Sequence, residues 1–442
     1  MKFTALIIFI FVFAVGLLAQ KPTDILAMTN FRSFTAQDLT PKIAETWIKM
    51  PKTLAKARKS LLERQIENTL LELEASRRKI SVGALLNKEI SKKVADPTEK
   101  EIKAIYDENA PNNGTATLAD MRPQITKYLR REPEQKAYQK LIIELKTKFP
   151  VAHQKDILTP DLKPFEVLAR VGQKQITKAD FNKTNGLLLY EYEANVFDQV
   201  AASVRQAVDS SLYSAEAKSK QIATSDFIRI EITDKMKDYS NEETERLYTT
   251  LRNRLYKKYR VRFFLKEPAP FVQKISTDDD PSLGKMAAPV TVVMFTDLQC
   301  PACAAVYPIL KKVISNYGEK IRFVVRDFPL TGIHPHAFEA AMAANAAHAQ
   351  GRYFTYKELL YKNQDSLDTE SLIKFAVQVG LDRKRFISDM KKKKFETEIR
   401  KDIREGESYG VNGTPTIFVN GIKVRTLSGE SFRKAIERFI TR

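Results

Sequence analysis

The stretch Val290-Thr291-Val292-Val293-Met294-Phe295-Thr296-Asp297-Leu298-Gln299-Cys300-Pro301-Ala302-Cys303 decides how this chain is read. Residues 290–295 are apolar except for Thr291, as in a buried strand, and after the cysteines Val306, Ile309, Leu310 and Ile314 recur at helical spacing. A second apolar run follows at residues 321–325. Strand, turn, helix and strand in that order begin a parallel βαβ layer. Pro301 suits the first helical turn, where no N–H donor is needed. Cys300 would then stand at the helix mouth, where unpaired N–H groups and the positive end of the helix dipole favour a thiolate. Cys303 lies almost one turn later on the same face, placed to attack a mixed disulfide on Cys300.

The chain has 442 residues and only these two cysteines. A protein held by structural disulfides would spread its cysteines over distant segments. Half a zinc site is the other reading of the pair, but zinc takes four ligands and no second such pair occurs, so no metal is expected. His334 and His336 flank Pro335 without a third ligand and read as a helix start or a surface feature. His348, set among alanines, reads as packed against neighbours. Further on, Val411-Asn412-Gly413-Thr414-Pro415-Thr416 leads into an apolar strand at 417–419 and an Asn420-Gly421 hairpin turn. A proline heading a strand makes Thr414–Pro415 a candidate cis bond.

Residues 290–441 resemble the DsbA-like branch of the thioredoxin superfamily. The shared features are Asp297-Leu298-Gln299 before the cysteines, Arg326-Asp327-Phe328-Pro329-Leu330, a helical run through Gln350-Gly351-Arg352-Tyr353-Phe354, and Gly413-Thr414-Pro415-Thr416. The resemblance implies a thioredoxin fold with a helical insertion from about residue 336 to residue 404. It implies Cys300 as the attacking and Cys303 as the resolving sulfur, with Pro301 and Ala302 at the helix N-terminus between them. Thr414 and Pro415 would form the loop that faces the sulfurs and pairs with a client strand. No bound cofactor is implied, because electrons move through a mixed disulfide. One position departs from the pattern. Relatives commonly carry a buried acid six residues before the first cysteine, to move the resolving thiol's proton, and here Met294 stands there. Asp297 is the nearest carboxylate in sequence, and a surface or capping role is expected for it at least as much as a part in moving that proton.

Before this region the chain repeats itself: residues 25–106 align without a gap on residues 167–248. Identities include Thr35 with Thr177, Asp38 with Asp180, Glu74 with Glu216, Glu89 with Glu231 and Tyr106 with Tyr248. Leu62, Ile66, Leu70 and Leu73 repeat at helical spacing, and Thr98 with Glu101 has the spacing of a capping box. Residues 111–114 read as a turn. The Glu74-Ala75 to Ile80 and Asp96-Pro97-Thr98 to Tyr106 patterns make each copy similar to the helical region of SurA-like periplasmic chaperones and parvulin-type prolyl isomerases. That similarity implies a cradle for unfolded clients; a spacer or dimerisation arm is the other reading. No parvulin catalytic domain follows, so isomerase activity is not implied.

At the start, Lys2, an apolar run at 3–18 and the small residue Ala19 read as a secretory signal, with an uncleaved anchor as the alternative. Export and a periplasmic location are therefore expected. The net charge of +19 reads as a solvated basic surface or, more sharply, as attraction to acidic clients or an anionic membrane surface. Nucleic acid is not an expected partner. Hydrophobic residues at 43% and charged residues at 29% fit folded domains, about three for this length.

The expected fold class is multidomain, with all-α N-terminal repeat units and a C-terminal α/β thioredoxin fold carrying a helical insertion. The boundaries expected are 1–19 for the signal, 20–155 and 156–265 for the helical units, 266–289 for a linker rich in proline and charge, and 290–442 for the α/β domain. The activity expected is thiol–disulfide oxidoreduction on unfolded or cysteine-containing clients, with a redox partner protein. The alternative is a chaperone whose thioredoxin module is not catalytic.

Overall fold

The computed structural model describes residues 21–109 and 116–440, so the signal at 1–19 and the turn at 111–114 lie outside the described residues. The chain divides into two compact units, with the boundary between Pro268 and Ala269. Among the described residues, no helix is long and apolar enough to cross a membrane.

The first unit contains both copies of the repeat. The first copy supplies β1 (Ala27–Met28), β2 (Ser33–Phe34), α1 (Pro41–Arg77), α2 (Val82–Leu86), α3 (Glu99–Glu108), α4 (Leu118–Lys148) and β3 (Val151–His153). The second supplies β4 (Val167–Val171), β5 (Lys174–Thr177), α5 (Lys178–Ser219), α6 (Thr224–Glu231), α7 (Asn241–Lys258) and β6 (Arg262–Phe263). Equivalent residues do equivalent work. Thr35 with Asp38 and Thr177 with Asp180 both form capping boxes. Glu74 and Glu216 are both buried carboxylates held by lysines, Lys148 and Lys258. Glu89 and Glu231 each pair with a lysine one turn on, Lys93 and Lys235.

The copies exchange halves instead of folding side by side. β1 pairs with its own hairpin partner β2 and with β6 at the end of the second copy, while β4 pairs with β5 and with β3 at the end of the first. The apolar cores follow the same exchange. Trp47, Met50 and Leu54 pack with Val200, Val204 and Leu251 in one core, and Leu62, Ile66 and Leu70 pack with Leu168, Ile176 and Phe181 in the other. The 37 residues of α1 let it serve both, because at about 1.5 Å per residue the helix outruns either core. A boundary at residue 155 therefore divides the sequence copies but not the cores. The unit expected to be all-α is helical in the main and adds two three-stranded sheets. Several of these strands are only two residues long, too short for alternation to register in sequence.

The second unit is built on a sheet of order β11-β10-β8-β9-β7. Its elements are β7 (Ser282–Leu283), β8 (Val290–Thr296), α8 (Pro301–Ser315), β9 (Ile321–Asp327), α9 (Ala337–His348), α10 (Tyr353–Lys362), α11 (Thr369–Gln378), α12 (Arg383–Lys391), α13 (Glu396–Ser408), β10 (Thr416–Val419), β11 (Ile422–Lys423) and α14 (Gly429–Ile440). β8 and β9 are parallel, and β10 runs antiparallel to β8 with Thr416 opposite Phe295. Five helices, α9 to α13, are inserted between β9 and β10. Both faces of β8 are buried, Val292 and Met294 on one side and Val293 and Phe295 on the other, which is why the strand is an apolar run without alternation.

The expected linker needs correction. Residues 269–289 belong to the second unit: β7 pairs antiparallel with β9, and Val272 bridges to Ile422. Asp280 reaches the buried guanidinium of Arg326 at 3.3 Å. Gly284 sits at φ +90, where a Cβ would lie 2.1 Å from the Ile321 carbonyl, so glycine is required for this close approach. The proline and acidic composition that suggests a linker is here the composition of an edge strand and of a buried carboxyl group beside Arg326.

Candidate active site

α8 begins at Pro301 with Cys300 as its N-cap residue. The Cys300 carbonyl accepts from the N–H groups of Cys303 and Ala304, which closes the first turn and places the two cysteines on one face. Because β10 runs antiparallel to β8, the segment entering β10 comes to the sheet end from which α8 departs. There the Thr414–Pro415 bond is cis, and the Cys300 Sγ lies 3.4 Å from the Thr414 carbonyl oxygen. Cys300, Pro301, Ala302, Cys303, Thr414 and Pro415 thus meet at one point. Both thiols are free; Cys303 is fully buried and Cys300 keeps 7% of its surface exposed.

The two sulfurs are driven apart in acidity. A hydrogen bond from the Cys303 thiol, with further help from the Cys303 N–H, the Thr414 hydroxyl and the Ala302 N–H, brings Cys300 down to about 5 against the opposing effect of burial. Cys303 is pushed up strongly, first by burial and then by its bond to Cys300. One sulfur is therefore a thiolate at neutral pH, and the other keeps its proton.

The loop before the helix is tightly held. Asp297, expected at the surface or in a cap, is buried; it accepts from the N–H groups of Gln299 at 2.7 Å and Leu330 at 2.8 Å and meets the His334 Nδ1 at 2.8 Å. Neither a surface position nor a cap of α8 is its place: the helix has no side-chain cap, and the buried carboxylate ties this loop to the segment after β9. His334 is the partner of Asp297, and His336 is the N-cap residue of α9, its N–H donating to Gln299. His348 meets Tyr353 edge-on at 6.0 Å from an exposed position.

Residues 276–438 match the family Thioredoxin_4, described as thioredoxin. The sheet order and the helix that starts at the cysteines give these residues a thioredoxin-like fold. The match starts fourteen residues or so before β8, in agreement with the docking of β7 on this domain. Among curated proteins, a 173-residue stretch is 33% identical to the Na(+)/H(+) antiporter NhaA 1 of Mycolicibacterium gilvum, covering 38% of this chain and 28% of that protein. A 147-residue stretch is 37% identical to the Na(+)/H(+) antiporter NhaA 3 of Salinispora tropica, covering 33% and 22%. The chain thus spans less than a third of the length of the curated relatives it matches. Among solved structures, BdbD from Bacillus subtilis is 22% identical over 39% of this chain and 99% of its own, with a TM-score of 0.35. A thioredoxin-like oxidoreductase from Silicibacter pomeroyi is 25% identical over 37% and 94%, with a TM-score of 0.33.

Several residues of the thioredoxin domain that bear on the site are not visible in the cysteine motif. Gln364 donates to the carbonyls of Leu298 and Cys300, both at 3.0 Å, and braces the mouth of α8 from the helical insertion. The Tyr361 hydroxyl is 2.5 Å from the Thr296 hydroxyl, at the end of β8. Lys357 is wholly buried, its amine without a hydrogen-bond partner. Its only sequence signal is its place between Tyr353 and Tyr361 at helical spacing, which sets an amine in an aromatic stripe. Met294, where relatives commonly carry an acid, is fully buried among apolar neighbours on the Cys303 side of the sheet.

Proposed function

We propose that this protein is an exported thiol–disulfide oxidoreductase that acts on cysteine-containing client proteins through a mixed disulfide on Cys300. The observation that carries the reading is the Cys300 sulfur at a helix mouth, 3.4 Å from the Thr414 carbonyl oxygen of the cis-proline loop and one turn from Cys303. As a thiolate it attacks one sulfur of a client disulfide, forming the Cys300–client bond and releasing the other client sulfur, which takes a proton from water. Cys303 then attacks Cys300, the bond to the client breaks, and the client leaves as a thiol. Run in reverse, the same steps take two electrons from a client dithiol. Holding the reduced form as a thiolate makes the Cys300–Cys303 disulfide the better electron acceptor. The favoured direction is therefore client oxidation, with a redox partner protein restoring the disulfide.

The loop at Thr414 and Pro415 would receive the client strand, leaving the sulfurs in reach. The helical unit would hold incompletely folded client, in line with an open groove lined by Arg205, Asp209, Tyr213, Ile228 and Tyr248, and the tether would raise the client's concentration at the cysteines. The periplasm is the proposed place of action, with the segment at 1–19 as cleaved signal or retained anchor. The charge of +19 would favour acidic clients or an anionic membrane surface.

Two substitutions test the reading. Cys300→Ser should abolish thiol–disulfide exchange, whereas Cys303→Ser should accumulate mixed disulfides that a reductant dissolves. Full exchange activity in the Cys300→Ser protein would overturn the assignment. Aggregation suppression by residues 20–265, with no redox activity in the whole chain, would favour the non-catalytic chaperone instead.

A further inference from the structure

The resolving thiol raises a chemical question that its own helix does not answer. Cys303 must lose a proton to attack and regain one in reverse, yet burial keeps it protonated, and Met294 offers no acid or base. A buried basic group lies beside the apolar core around it. Lys357 on α10 is fully buried, and its Nζ has no hydrogen-bond partner. It lies 3.5 Å from the ring centroid of Tyr307, which is one helical turn beyond Cys303 on α8. The rings of Tyr361, Phe323 and Phe354 enclose it at 5.4, 5.5 and 5.7 Å. Tyr361 in turn meets the Thr296 hydroxyl, and Thr296 opposes the upward push on the Cys303 thiol. Lys357 thus lies beside the Cys303 helix, against the Tyr307 ring and near the Tyr361 ring, without a hydrogen bond to either hydroxyl.

Resting on the redox reading above, we propose that Lys357 is the proton-holding residue for Cys303, in place of a buried acid. In the resolving step the Cys303 proton passes to the neutral amine, the Cys303 sulfur bonds to Cys300, and the Cys300–client bond breaks. The client sulfur departs with the electron pair and is protonated by water. In reverse, the ammonium returns its proton to Cys303. The amine suits this exchange because burial lowers it to about 7, where both forms are populated near neutral pH. The titratable groups facing it are Cys303, Tyr307 and Lys311 on α8, Asp327 on β9, and Glu358 and Tyr361 on α10. Those of α9 and α11, namely Glu339, His348, Glu370 and Lys374, stand at exposed or half-exposed positions.

Rapid mixing with a client disulfide separates the two steps, as mixed-disulfide formation on Cys300 and as release of the client thiol. In the wild-type full-length protein, release should rise with pH through an inflection near 7 and then level off. Lys357→Met should leave formation within about twofold, slow release at pH 7 by about 100-fold, and replace the plateau with a continued rise into the alkaline range. Lys357→Arg keeps a charge but holds its proton, so release should be slowed as in Lys357→Met. Normal release in a folded Lys357→Met protein overturns the proposal while leaving Cys300 chemistry intact. Absence of mixed-disulfide formation in the wild type would overturn the redox reading itself. Should the variants not fold, a wild-type release profile without an inflection between pH 6 and 8 overturns the proposal equally.

Discussion

At Cys300 a few hydrogen bonds decide the chemistry. An ordinary thiol near 8.5 is a few per cent ionised at pH 7, whereas one held near 5 is almost wholly ionised. The sign follows from the donors, which bind the charged sulfur more strongly than the neutral one. Their contribution to the reduced folded state is complete above the ordinary thiol range and is lost as pH falls through about 5. Alkylation of Cys300 by iodoacetamide should therefore rise through a midpoint near pH 5 and stay flat through pH 8, while Cys303 stays unmodified. A midpoint near that of free cysteine would mean that the donors do not act. The position of Cys300 is legible from the sequence, since proline in the first turn and a short spacer fix it at the helix mouth. The Thr414 carbonyl and hydroxyl are not, because they arrive from more than a hundred residues away.

Among elements, β9 depends most on partners distant in sequence. Its Arg326 is fully buried, held by Asp402 on α13 through its Nε at 2.9 Å, by Glu405 at 2.8 Å and by Asp280 at 3.3 Å. Asp402 also accepts the Asp327 N–H at 2.9 Å, so one carboxylate locks the insertion to the central sheet. Asp402→Ala should destabilise the thioredoxin domain by about 3–5 kcal/mol, because the buried guanidinium loses its principal counter-ion. The chain's single tryptophan, Trp47, lies in the other unit. Denaturant titration should therefore show an early circular-dichroism transition in the variant and an unmoved fluorescence transition. Equal shifts in both probes would argue against a local role. The strands β8, β9 and β10 are legible as apolar runs because both faces of the sheet are buried. β7 is not, since two residues amid prolines and acids carry no period.

At the scale of the molecule, the exchange between repeat copies has a consequence for fragments. Trp47, at 8% exposure, belongs to a core that includes Val200, Val204 and Leu251, all from the second copy. A chain of residues 21–155 lacks them and should show red-shifted tryptophan emission without a cooperative transition. Residues 21–268 should keep blue-shifted emission and unfold in one step. A native-like Trp47 signal in the short fragment would contradict the shared core.

The sequence by itself determined the local features: the duplication and its caps, the helix that starts at Pro301, the proline that heads β10, and the spacing of the two thiols. Each depends on neighbours a few residues apart, where backbone sterics and periodicity act. Only the tertiary structure decided which copy's strand completes which sheet, that residues 269–289 close the edge of the thioredoxin domain, and that Lys357 stands near Cys303 where Met294 supplies no proton. Those are matters of long-range pairing and desolvation, and a buried charge reveals its partner only once the chain has closed around it.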